Sequence, residues 1–178
     1  MLIAVLFAVP LIASYLAFFV WLPEGRVNYG DLLEVRPLAE VPLRRLDGRT
    51  FRFSELRGKW VMVSIDAGAC ARSCKAKLFM MRQQRLMQGR EMDRLERVFL
   101  VEDDAPLPAM LLREFDGTRV LRASGSPLLN AFPAQSARRD HIYLVDPRGN
   151  LMMRFPGAPD PYRMNKDIDR LFKAQGAA

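Results

Sequence analysis

The sulfur chemistry open to this chain rests on two cysteines, four positions apart in Cys70-Ala71-Arg72-Ser73-Cys74. Residues i and i+4 share a helix face, so the pair can close a disulfide or place two sulfurs on one soft metal ion. The short loop Asp66-Ala67-Gly68-Ala69 leads into them from an apolar run, and a helical stretch follows. Free backbone N–H groups at a helix start favour a thiolate, which makes Cys70 the expected nucleophile of the two. Arg72, Lys75 and Lys77 add positive potential. The alternative is packing, because Cys70, Cys74, Leu78 and Met81 fall on one helical stripe where a thiol serves as a small core residue. His141, the single histidine, opens a strand-like run and is the one imidazole available to join the two sulfurs as a donor to a soft metal ion. Its face is open, since His141, Tyr143 and Val145 alternate with Ile142 and Leu144. A strand-end histidine bonded to backbone or solvent is the competing reading.

So few ligands exclude a good deal. A four-cysteine or two-cysteine, two-histidine zinc set cannot be assembled from one chain, and no Cys-x-x-Cys-His haem attachment occurs. Phosphate-loop, nucleophile-elbow and His-Glu-x-x-His signatures are absent as well. Met80-Met81 and Met152-Met153 read as irregular core filler rather than copper thioethers, and Asp103-Asp104 as a solvated loop. The net charge of +7 comes from Arg and Lys scattered along the chain, which describes a basic surface and not a nucleic-acid motif. Such a surface favours anionic lipid headgroups or an acidic partner by long-range attraction.

The elements that must position the cysteines alternate. Pro42 to Phe53 reads as a hairpin about Asp47-Gly48, and Ser54 to Gly58 as a capped helical turn. Trp60 to Ile65 is a nearly continuous apolar run, the pattern of a central strand covered on both faces. A helix from about Cys70 to Gln88 and a second apolar run, Val98 to Val101, make a parallel pair joined by a right-handed crossover. Ala109 to Phe115 and Pro127 to Phe132 read as short helices, with Thr118 to Arg122 between them as an edge strand. His141 to Val145 and Leu151 to Phe155 flank Asp146-Pro-Arg-Gly-Asn150 as a hairpin, and Asp160 to Ala174 is an amphipathic helix. This order predicts an α/β, thioredoxin-like domain, a central mixed sheet flanked by helices, over residues 41–175.

From Met1 to Leu22 no side chain is charged, a length that matches the roughly 20 residues needed to cross a bilayer. Residues 1–22 are therefore expected to be one transmembrane anchor, with Trp21 at the interface, and residues 23–40 a connector. The bulky run up to Pro23 lacks the small residues of a signal-peptide cleavage site.

Four segments carry a resemblance. Val41-Pro-Leu through Asp47-Gly48, Ser54-Glu-Leu-Arg-Gly-Lys-Trp-Val-Met-Val-Ser-Ile65, the Cys-x-x-x-Cys loop and Tyr143-Leu-Val-Asp-Pro-Arg-Gly149 together resemble the Sco/SenC family of cytochrome oxidase assembly proteins. The resemblance implies a domain on the periplasmic side of the inner membrane, with Cys70 and Cys74 as the family's cysteine pair. It implies copper delivery or thiol reduction at the oxidase copper centre, so that the partners are a respiratory oxidase subunit or another redox or copper protein, with no nucleic acid. The family has proline after its second cysteine where this chain has Lys75, and a longer interval between its histidine and the Tyr-Leu-x-Asp-Pro strand. Those differences favour the alternative of a non-catalytic accessory or docking protein. A peroxiredoxin is disfavoured, because Ala67 stands where its activating hydroxyl belongs.

Overall fold

The computed structural model describes Pro10, Tyr15 and residues 28–134 and 136–176. The anchor expected over residues 1–22 thus lies outside the described residues apart from those two positions. Among the described residues no helix is long and apolar enough to cross a membrane.

Eight strands form one mixed sheet: β1 (Asp31–Pro37), β2 (Leu43–Arg45), β3 (Thr50–Phe51), β4 (Trp60–Asp66), β5 (Leu95–Val101), β6 (Arg119–Arg122), β7 (His141–Val145) and β8 (Asn150–Pro156). Their spatial order is β1-β8-β7-β4-β5-β6-β2-β3. The continuous apolar run puts β4 at the centre with every residue buried. It pairs in parallel with β5 and antiparallel with β7, so that Val61 faces Val145 and Ser64 faces Ile142. Among the described residues from 28 onward the α-helices are α1 (Arg72–Met87), α2 (Ala109–Glu114) and α3 (Pro161–Gly176). α1 is the crossover between β4 and β5, as the strand-helix-strand reading required.

The two faces of the sheet carry separate cores. Val61, Val63 and Ile65 of β4 join Phe51, Phe132, Tyr143 and Val145 on one face. Trp60 and Met62 join Ile142, Leu144, Phe155 and the inward residues of α1 and α3, including Met164, Ile168 and Phe172, on the other. Met81 and Met153 are fully buried in that second core with Met80 and Met152 packed against it, so the methionine pairs act as filler.

Three elements differ from expectation. Asp31–Pro37, within the stretch read as a connector, is a strand paired with β8. β6 is interior, not at an edge: the β2–β3 hairpin folds over so that Arg44 faces Arg122. The turn after the hairpin is a 3₁₀ turn over Phe53–Leu56, where the Glu55 carboxylate accepts from the Arg52 N–H at 2.8 Å.

Candidate functional site

The cysteine loop hangs from the C-terminal end of β4. The Asp66 carboxylate accepts from the Ala67 N–H at 2.9 Å, and the Cys70 N–H donates to the Ala67 carbonyl at 3.0 Å, closing a turn. Cys70 leaves that turn with φ of +43°, a left-handed conformation that side chains other than glycine seldom adopt. The chain then straightens at Ala71, and the helix begins at Arg72, so Cys70 stands just ahead of α1 rather than within it. Ala71 offers no side-chain cap. The N–H groups of the first turn are left directed toward the sulfurs' end of the helix.

Cys70 and Cys74 are joined as a disulfide with their Cα atoms 5.1 Å apart. Both are buried, Cys70 at 2% exposure and Cys74 at 0%, in the core beneath α1 with Leu78 and Met81. The helical stripe seen in the sequence is therefore the buried face, and the bond is part of the packing.

A second loop braces the first. The Asp103 carboxylate accepts from the Gly68 N–H at 2.7 Å and from the Ala105 N–H at 3.2 Å. A Cβ at Gly68 would stand 2.3 Å from the Ala105 carbonyl oxygen, so the loops meet in backbone contact that only glycine permits. Asp103 is a fastening of the cysteine loop, a role that the adjacent-carboxylate pattern did not reveal.

Beside the disulfide lies a buried ion pair that sequence reasoning missed. Lys77 Nζ stands 2.9 Å from Asp66 Oδ2, donates to the Ile65 carbonyl at 3.0 Å and also donates to the Arg139 carbonyl. Burial holds the Lys77 ammonium below the ordinary lysine range, while Asp66 acts to keep it charged. The signal was present: Lys77 is three residues after Cys74, on the stripe with Leu78 and Met81, where a lysine needs a buried partner. The pair ties the end of β4 and the cysteine helix to the segment before β7. An Arg139–Glu102 ion pair adds a further link across that segment.

His141 opens β7 opposite Pro156 of β8. Pairing of Ser64 with Ile142 places it beyond Ser64, at the end of β4 that feeds the cysteine loop. The alternation is now resolved. Ile142 and Leu144 share the cysteine core, whereas Tyr143 and Val145 belong to the opposite one. His141 goes with the latter, its ring edge-on to Tyr143 at 5.8 Å, and neither ring nitrogen has a hydrogen-bond partner. Among the described residues no three His, Cys, Asp or Glu side chains are gathered to hold a metal ion. Sulfur is the donor set on offer, and it becomes available to a soft metal only when the disulfide is reduced.

Comparison with known proteins agrees with this architecture. The family described as "Transmembrane-like, thioredoxin-like, C-terminal domain" matches residues 60–175. No curated protein matches the chain. Among solved structures, yeast Sco1 with copper bound is 19% identical with a TM-score of 0.64, covering 78% of this chain and 94% of that one. Copper-bound ScoI of Bradyrhizobium japonicum is 19% identical with a TM-score of 0.58, covering 76% and 99%. BsSco, a member of the Sco family of cytochrome c oxidase assembly proteins in which a disulfide switch was identified, is 15% identical with a TM-score of 0.59, covering 80% and 96%. These likenesses establish the fold that the sequence resemblance implied. The chain is a thioredoxin-like relative of Sco/SenC proteins in fold, and it belongs to the family of transmembrane-like, thioredoxin-like C-terminal domains.

Proposed function

We propose that this chain is a membrane-anchored thiol-disulfide protein acting in cytochrome c oxidase assembly, its domain on the periplasmic side of the inner membrane. The observation that carries the reading is the Cys70–Cys74 disulfide set between the end of a central strand and an uncapped helix start. In the exchange step a thiolate of a partner dithiol attacks one sulfur, the Cys70–Cys74 bond breaks, and a mixed disulfide forms. The partner's second thiolate then displaces this chain's remaining sulfur. Two electrons and two protons end on Cys70 and Cys74 while the partner becomes the disulfide. Run in reverse, the reduced pair oxidises and reduces its target. Copper is cargo in this reading: the reduced pair supplies two sulfurs to Cu(I), and His141, whose ring lies against Tyr143 on the face opposite the cysteines, becomes a third donor only by turning across the start of β7.

Thiol trapping before and after mild reduction, with Cys70→Ser and Cys74→Ser as controls, tests the redox half. Titration of the reduced chain with Cu(I) against a chelator tests the cargo half. We expect both cysteines to trap after reduction, and weaker Cu(I) retention in His141→Ala would show that its ring makes that turn. Unchanged affinity in His141→Ala leaves the metal to the sulfurs or to a partner. The burial of both sulfurs favours one further reading, an accessory protein whose disulfide is structural. A pair that stays oxidised against dithiols in the folded chain would decide for it.

A further inference from the structure

The outer surface of the helical layer carries bases beside exposed apolar side chains. α1 contains Arg72, Lys75, Lys77, Arg82 and Arg85 and no acidic residue. On its exposed side Lys75 and Arg82 alternate with Phe79 and Leu86, both 53% exposed. α3 lies alongside: the Gln84 amide donates to the Pro161 carbonyl at 2.8 Å, and the Gln88 amide to Asn165 Oδ1 at 2.8 Å. It adds Tyr162, 78% exposed, with Arg163, Lys166 and Lys173 on its outward side. Along α1 large apolar side chains interleave with bases and no acid intervenes, while on α3 the partly exposed Asp169, which accepts from the Asn165 amide at 3.1 Å, is outnumbered by its basic neighbours; such a face fits a surface that is anionic outside and apolar beneath.

The entry of the chain fixes where that face lies relative to a bilayer. The backbone N–H groups of Tyr29 and Gly30 donate to Asp167 Oδ2 of α3 at 2.7 and 2.9 Å. Tyr29's hydroxyl accepts from the Asp160 N–H at 2.9 Å, and the Arg163 guanidinium sits 4.5 Å from its ring. The chain thus joins the domain at α3, on the helical side of the sheet. Pro23 to Asn28 separates this point from the apolar segment, a reach of at most roughly 20 Å.

We propose that the outward face of α1 and α3 rests on anionic phospholipid headgroups, with Phe79, Leu86 and Tyr162 entering the interface and the lysines and arginines pairing with lipid phosphates. The proposal rests on reading residues 1–22 as the anchor. It orients the domain with its helices toward the bilayer and the opposite core, with the hairpin β2–β3, away from it.

The test uses the full chain carrying Phe79→Trp, reconstituted in vesicles of phosphatidylcholine alone or with phosphatidylglycerol. Quenching by lipids brominated near the headgroup is read after subtracting the parent chain, which holds Trp21 and Trp60. We expect quenching to increase with phosphatidylglycerol and to fall with salt. Each base near such a surface counts for roughly fivefold in the docking equilibrium, so Lys75→Gln, Arg82→Gln and Lys166→Gln together lower it by about a hundredfold. Flotation with phosphatidylcholine vesicles after an alkaline wash reports the anchor separately. A chain that floats there but shows the same quenching in both lipids overturns the docking and leaves the anchor reading standing. A chain that fails to float on phosphatidylcholine yet is quenched with phosphatidylglycerol upholds the docking and removes the anchor. Quenching indifferent to lipid charge, with retention on a polyglutamate peptide instead, gives the face to an acidic protein and overturns the lipid proposal.

Discussion

At the scale of single residues, Gly68 is the position where one methyl group has the largest foreseeable effect. Its absent Cβ lets the cysteine loop touch the Ala105 carbonyl, and a side chain there would collide with backbone rather than with a movable tip. Gly68→Ala is expected to cost about 1–3 kcal/mol and to loosen the Asp103 fastening, read as a lower denaturant midpoint of the oxidised chain. Tyr143 predicts a pH effect. It is fully buried, its hydroxyl donates to the Pro133 carbonyl at 3.0 Å, and burial pushes its pKa from 10.0 up to about 12. The native state therefore keeps a proton that the unfolded chain loses, so the tyrosine's contribution is complete below pH about 10 and disappears as pH rises through about 12. Tyr143→Phe removes that slope, worth roughly 2–3 kcal/mol across the window, at a cost of about 1 kcal/mol at neutral pH. Unfolding curves of both proteins at neutral and alkaline pH measure the difference.

At the scale of elements, legibility followed locality. The central strand, the crossover helix and the last hairpin were readable because each is announced by an apolar period or a turn sequence within its own span. Pairing is not local. Nothing in Arg119–Arg122 states that Arg44 will lie opposite Arg122, so the strand read as an edge proved to be interior. β1 was hidden for a related reason: on the margin of the sheet its residues are mostly exposed and show no clean alternation. The start of the cysteine helix fell two residues late because the left-handed turn at Cys70 is set by contacts of the loop rather than by helix propensity. Likewise Asp66 and Lys77 were each visible as charges, but their pairing depends on two elements meeting. β1 also supplies a prediction at this scale. Asp167 is buried and holds the entry to β1 through two backbone N–H groups, with Arg170 3.7 Å away. Asp167→Ala strands both donors, an expected loss of about 2–4 kcal/mol. Hydrogen exchange should quicken at Tyr29, Gly30 and β1 while β4 stays slow; equal acceleration in β4 would mean global destabilisation instead.

For the whole molecule the open dimension is sidedness. The bases that follow the apolar segment, Arg26 and Arg36 first, would by the positive-inside tendency hold the domain in the cytoplasm, whereas a thiol-disulfide role at an oxidase calls for the periplasm. We expect the periplasmic arrangement. Fusions after Gly25 and at the C-terminus, to a reporter active only outside the cytoplasm, should both be active; activity of a cytoplasm-only reporter at the C-terminus would reverse the assignment. A last consequence follows from the burial of both sulfurs. A disulfide that solvent does not reach is shielded from small thiols for as long as the braced loop stays shut, so its encounter with a reductant becomes a matter of waiting time. At rising concentrations of a small thiol the rate levels off at the frequency with which the Gly68 and Asp103 loops part. A protein partner that pries those loops open escapes that ceiling. Selectivity between the two classes of reductant then resides in a clock, not in a reduction potential.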